Sequence, residues 1–204
     1  MSSEELAALL TFATLMSFTP GPNTAMSTAL GANHGLRRTL HFIVAVPTGW
    51  TLMMLACGLG LGALVLAVPA LNVIVRTVGI GYLLWMAWAL AGARTLAQAD
   101  GSRLNVTFWQ GVGMQFVNIK AWMLALALAG GWVTSAAGHP SSNPLQRLAI
   151  VCGVMALFAL ASNLAYALVG SLLRQWLANG SRLLWFNRAM ALLLVATAVW
   201  MAFA

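Results

Sequence analysis

"SFTPGPNTAM", Ser17 to Met26, sets two prolines and a glycine in three consecutive positions and follows them with Asn23. Such a cluster ordinarily ends a helix. Here apolar sequence runs on at both sides of it. The chain has 204 residues, 61% hydrophobic and 6% charged, with a mean hydropathy of +0.88. A soluble domain of this size carries about a quarter charged residues. So little charge cannot cover a surface in water, and the chain reads as an integral membrane protein. A breaker therefore falls where a membrane-spanning helix is needed.

Apolar stretches long enough to span recur along the chain, and a single transmembrane domain over residues 1–204 is expected. The net charge of +7 does not point to nucleic acid, because the basic residues stand singly between apolar segments. They are read as topology-setting charges beside spans. Cys57 and Cys152 fall within apolar segments with no His or Cys at metal-ligand spacing. They are read as buried structural thiols, and no cofactor is expected. The opening "MSSEEL" has acids where a signal peptide needs a basic region, so the first segment is expected to be retained as a helix.

Hydropathy and breaker signals predict six spans: Leu6–Gly31, Thr39–Val68, Leu71–Thr95, Val106–Val133, Leu145–Leu173 and Leu183–Phe203. Loops one, three and five hold Arg37, Arg38, Arg94, Arg103, Arg174, Arg182 and Arg188, against Arg76 and Arg147 in loops two and four. Seven against two puts the odd loops in the cytoplasm and both termini outside.

Segments three and six share a pattern. "RTVGIGYLLWMAW" runs from Arg76 to Trp88 and "RAMALLLVATAVW" from Arg188 to Trp200, with equal Arg-to-Trp spacing. Chance similarity between two apolar helices stays open. A real repeat, of about 1–100 and 101–204, makes two three-span halves of opposite topology. Transporters of that design place the substrate near the midplane, where matching helices break. Segment four, the partner of segment one, holds Lys120, the only lysine in the chain. Lys120 lies eleven residues after Trp109 and twelve before Trp132, roughly 17 Å from either flank at about 1.5 Å per residue. That is near the middle of a hydrocarbon core about 30 Å thick. A lysine there costs about 2.5–3.5 kcal/mol and is expected to face a polar cavity. The alternative is a later start to segment four, with Lys120 as an interfacial anchor.

Pro20–Asn23 lies at similar depth, fourteen to seventeen residues beyond Leu6. Pro20 and Pro22 donate no N–H, and the carbonyls one turn earlier lose their partners. In lipid such groups are satisfied by protein, water or ligand. The N–H groups opening the second half-helix suit an anion such as a carboxylate. A plain structural kink is the alternative. The candidate site is therefore Pro20, Gly21, Pro22, Asn23, Asn118 and Lys120, with Gln115 and Asn163 as further polar candidates. Ser17, Thr19 and Tyr166 are secondary. Gln115, Asn118 and Trp122 are read as one helical face of segment four, and Thr48 and Thr51 around Gly49 as a close-packing point.

At these residues the chain resembles the LysE/RhtB amino-acid exporters. "PGPN" in segment one is the most specific feature. "GANHGLRR", "GIGYLLWMAW" and "FWQGVGMQFVNIKA" resemble the first loop, third span and fourth-span Asn-Pro-Lys motif of that family, and the likeness covers nearly the full length. Ile119 stands where most members have proline, which leaves a second break in segment four open. "QFVN" followed by a small apolar residue and lysine, and "ASNLAYALVG" in segment five, look most like the cysteine/O-acetylserine efflux branch. The resemblance implies an all-α fold and export of small amino acids or derivatives across the bacterial inner membrane, without cofactor. Homodimerisation is carried as an open expectation.

The competing readings are an exporter of basic amino acids or another small solute, a membrane-embedded enzyme, and a non-transporting membrane subunit. Against an enzyme, the acids Glu4, Glu5 and Asp100 all lie outside the apolar segments, where metal or acid–base chemistry lacks its groups. His41, near the start of segment two, is read as an interfacial histidine.

Overall fold

The computed structural model describes residues 1–60, 68–94, 96, 106–136 and 139–203. The end of predicted segment two, Thr95, and most of the third loop, with Asp100 and Arg103, lie outside the described residues. The rest is helical except for a hairpin of Ser135–Ala136 against His139–Pro140. The helices are α1 (Ser3–Phe18), α2 (Pro22–His34), α3 (Leu36–Gly58), α4 (Pro69–Ala91), α5 (Phe108–Phe116), α6 (Ile119–Leu128), α7 (Pro144–Leu177) and α8 (Arg182–Phe203). A π-helical turn, Ala129–Thr134, extends α6.

Among the described residues, α3, α7 and α8 are each long and apolar enough to cross a membrane. The pair α5–α6 with its π turn meets the same test but is bent by 64°. α7 runs four residues beyond the predicted end of segment five, so Arg174 stands in its last turn and not in a loop.

Segment one is broken where the prolines require it. α1 ends at Phe18, and α2 starts at Pro22, whose missing N–H costs nothing in a first turn. Segment four is broken without a proline. Asn118 takes an extended conformation (φ −92°, ψ 101°) as N-cap of α6. Tertiary contacts hold the break. The indole N–H of Trp122 donates to the Phe116 carbonyl at 2.8 Å, and the Val117 carbonyl lies where a Cβ on Gly79 would be. Gln115, Asn118 and Trp122 therefore do not form one helical face. The bend separates them. Both broken segments open on a capping box, Ser2 with Glu5 and Thr107 with Gln110.

The contacts set the direction of each pairing. On α2 and α7, Ser27 meets Asn163, the backbones touch at Gly31 and Gly170, and Gly35 meets Arg174, so these helices run parallel. On α3 and α5, His41 meets the Val106 carbonyl, Gly111 meets Ala45, and Gly49 meets Val112 and Gln115, again parallel. On α3 and α7, Leu36 meets Ser171 and Gly58 meets Leu148, so they are antiparallel. On α4 and α8, Arg76 donates to Met201 and Asn187 to Ala93, also antiparallel. Glycine lets both parallel pairs approach to backbone contact. At Gly31, Gly49, Gly79 and Gly170, an added Cβ would overlap a carbonyl oxygen.

Candidate functional site

The two breaks meet. Nζ of Lys120, one residue into α6, lies 3.5 Å from the Thr19 carbonyl oxygen. A Cβ on Gly21 would stand 3.3 Å from that same Nζ. Glycine at 21 is thus what lets the Lys120 amine sit beside the start of α2. Of the carbonyls released by the prolines, that of Phe18 is met by protein. The Tyr166 hydroxyl donates to Phe18 at 2.9 Å, which is the acceptor that Pro22 leaves without its helical N–H. The Gly21 N–H donates to the Thr24 hydroxyl at 2.9 Å.

A cavity of about 70 Å³ lies at this junction, enough for a few water molecules. Gly21, Pro22, Asn23, Asn118, Lys120 and Asn163 line it, as do Ser17 and Thr19. Pro20 faces a neighbouring apolar groove of about 600 Å³ that shares Thr19, Gly21 and Lys120 with the cavity. Gln115 does not line the cavity. It is fully buried and pairs both ends of its amide with Asn23, at 2.9 and 3.1 Å. The Asn23 amide, expected to be offered to the cavity, is engaged there and holds α2 against α5. Asn163 accepts from Ser27 at 2.7 Å and donates to Ala159 at 2.8 Å, so its amide ties α7 to α2.

Two residues that line the cavity each carry a buried polar atom with no hydrogen-bond partner among the described residues: Oδ1 of Asn118, an acceptor, and Nε1 of Trp50, a donor. Leaving such a group unpaired costs about 1–3 kcal/mol, so a bound polar molecule that meets both is favoured. Sequence reasoning missed Trp50, Thr24 and Ser162. Trp50 lies one position after Gly49, whose close approach brings α3 against α5. Among the described residues, no carboxylate lines the cavity.

Comparison with known proteins gives the family. The family model described as LysE type translocator matches residues 14–204. The chain belongs to the LysE family. Relatives of this LysE-family protein include a protein of Klebsiella pneumoniae subsp. pneumoniae named cysteine/O-acetylserine efflux protein. It is 30% identical over 200 residues, covering 98% of this chain and 97% of that one. A protein of the same name from Salmonella typhimurium is 29% identical over 95% of each chain. Another from Escherichia coli K12 is 28% identical over 98% of each. No solved structure matches the chain. With its apolar helices, this LysE-family translocator is a multi-pass membrane protein.

Proposed function

We propose that the protein is a secondary transporter exporting small neutral amino acids or derivatives, of the cysteine, O-acetylserine, serine, threonine and homoserine class, across the inner membrane. The observation that carries this reading is the cavity between the two breaks. One basic side chain, Asn118, Trp50 and the start of α2 line it, and among the described residues no carboxylate does. An α-amino acid brings a carboxylate and an ammonium. Lys120, the Trp50 N–H and the first N–H groups of α2 can receive the carboxylate. The Asn118 oxygen and the carbonyls before Pro20 can receive the ammonium. The names of the relatives favour the same substrate class.

The six-span inverted arrangement is part of this proposal. The helix directions support it: segment one runs with five, two with four, two against five, and three against six. An alternating six-span path requires these directions, and exchanging the two halves leaves them unchanged. The halves are not equivalent in detail, since α2, the second half of segment one, packs on α7, whereas α5, the first half of segment four, packs on α3. The arginine bias supports termini on the outer side. Exposed apolar side chains on α7 and α8, such as Leu157, Leu172 and Leu192, offer faces for lipid or a second copy.

Uptake into proteoliposomes against a substrate panel, with and without a pH gradient, tests the reading. Saturable flux of neutral amino acids is the expected result, and no flux of any amino acid overturns it.

A further inference from the structure

The two halves of the first segment differ sharply in how they are held. Of the thirteen residues of α2, eleven are buried, whereas of the sixteen in α1 only Leu9 and Ala13 are. α1 rests on α7. Another side of it borders the apolar groove, whose remaining walls are Met123, Leu124 and Ala127 of α6 and Leu193, Ala196 and Trp200 of α8. α1 is tied at its two ends. At the break, Tyr166 and Lys120 hold the Phe18 and Thr19 carbonyls. At the far end, Arg147 at the start of α7 reaches both carboxylate oxygens of Glu5, at 2.7 and 3.3 Å. Arg147 also donates to the Trp132 carbonyl, and the Trp132 indole N–H donates to the Glu5 carbonyl at 3.3 Å. The Phe12 and Trp132 rings stack with centroids 5.4 Å apart. Arg147 and Glu5 form an ion pair.

We propose that α1 is a gate over the cavity, hinged at Thr19–Gly21 and latched by Glu5 and Arg147. α1 supplies Met16, Ser17 and Thr19 to the cavity wall, and the cavity is far smaller than the roughly 300–1,000 Å³ of ordinary ligand pockets. A solute of amino-acid size needs that wall to move. The hinge offers little resistance, because no backbone hydrogen-bond ladder crosses two prolines. The groove is the space into which α1 can swing, since its walls apart from Thr19, Lys120 and Thr197 are apolar and α1 lines it with Phe12 and Met16. α2 stays fixed in the core and keeps its half of the site. The latch sets how often the gate opens.

The purpose of the gate rests on the export reading, but its motion is measured without substrate, so the two fail separately. Cys57 and Cys152 are replaced by alanine, and Ser17→Cys on the cavity face of α1 is labelled by a polar maleimide in nanodiscs. Glu5→Gln keeps the capping box with Ser2 and removes the charge. It is expected to raise the labelling rate severalfold. Arg147→Met is expected to do the same, and the double variant to add nothing beyond the larger single effect. Leu30→Cys, buried in α2, is expected to stay protected in every variant. Unchanged Ser17→Cys labelling in both single variants, additive effects in the double, or equal exposure of Leu30→Cys would each overturn the proposal.

Discussion

Nζ of Lys120 lies 3.5 Å from the carbonyl oxygen of Thr19, across 101 residues of sequence. The contact joins the only lysine in the chain to the last residue before the proline break. It brings the two interrupted segments together.

Removing the amine tests that site directly. Lys120→Met is expected to abolish proton-driven transport in proteoliposomes, because the cavity is lined by no carboxylate to carry the proton instead. Full gradient-dependent transport by the variant would exclude Lys120 as the carrier.

Substrate charge gives a second test. Lysine or arginine would bring an extra cation into a cavity already holding Lys120 and no acid. An unpaired buried charge costs several kcal/mol, and each 1.4 kcal/mol is tenfold in affinity. In competition against labelled serine or cysteine, cationic amino acids are expected to be at least a hundredfold weaker. Equal competition would show that the cavity does not select on charge.

The same substitution at two glycines should fail in different ways. In Gly21→Ala the new methyl would meet Nζ of Lys120 at 3.3 Å, and this flexible side chain can move aside. Transport is expected to fall severalfold with little change in Tm. In Gly31→Ala the methyl would overlap the Ala167 carbonyl, which is backbone. Overpacking of this kind costs about 1–3 kcal/mol, and a lower Tm and folded yield are expected. A Gly21→Ala variant with unchanged transport would dissociate the Lys120 position from function.

The latch has a defined pH window. Arg147's hydrogen bonds to the Glu5 carboxylate, and after them the Ser2 N–H, lower its pKa from 4.5 to about 2. A depressed carboxyl contributes stability that is complete above its unfolded pKa and is lost as pH falls through the folded one. The Tm difference between wild type and Glu5→Gln is therefore expected to be constant from pH 8 to 5 and to shrink as pH falls from about 4.5 towards 2. A difference that already changes between pH 8 and 6 would show that another group, not Glu5, controls the latch.

The break at Pro20–Pro22 was legible in the sequence because proline acts on its own backbone, whatever surrounds it. The unusual standing of Lys120 was legible too, because an amine in an apolar segment carries a desolvation cost in any fold. The break at Val117–Asn118 was not legible, since Ile119 forbids nothing. Contacts from Gly79 and Trp122 hold it open, and both are tertiary. Which amides are free was decided in the same way. Asn23, Gln115, Asn118 and Asn163 are alike in a sequence. Distance alone pairs Asn23 with Gln115 and Asn163 with Ser27, and leaves the Asn118 oxygen without a partner among the described residues. Glu5 and Arg147 lie 142 residues apart and read separately as a capping residue and a loop charge. Local chemistry thus determined where this chain must break and where it holds its one lysine. Only packing decided which polar atoms those breaks bring together, because hydrogen bonds between distant segments depend on positions that no local pattern encodes.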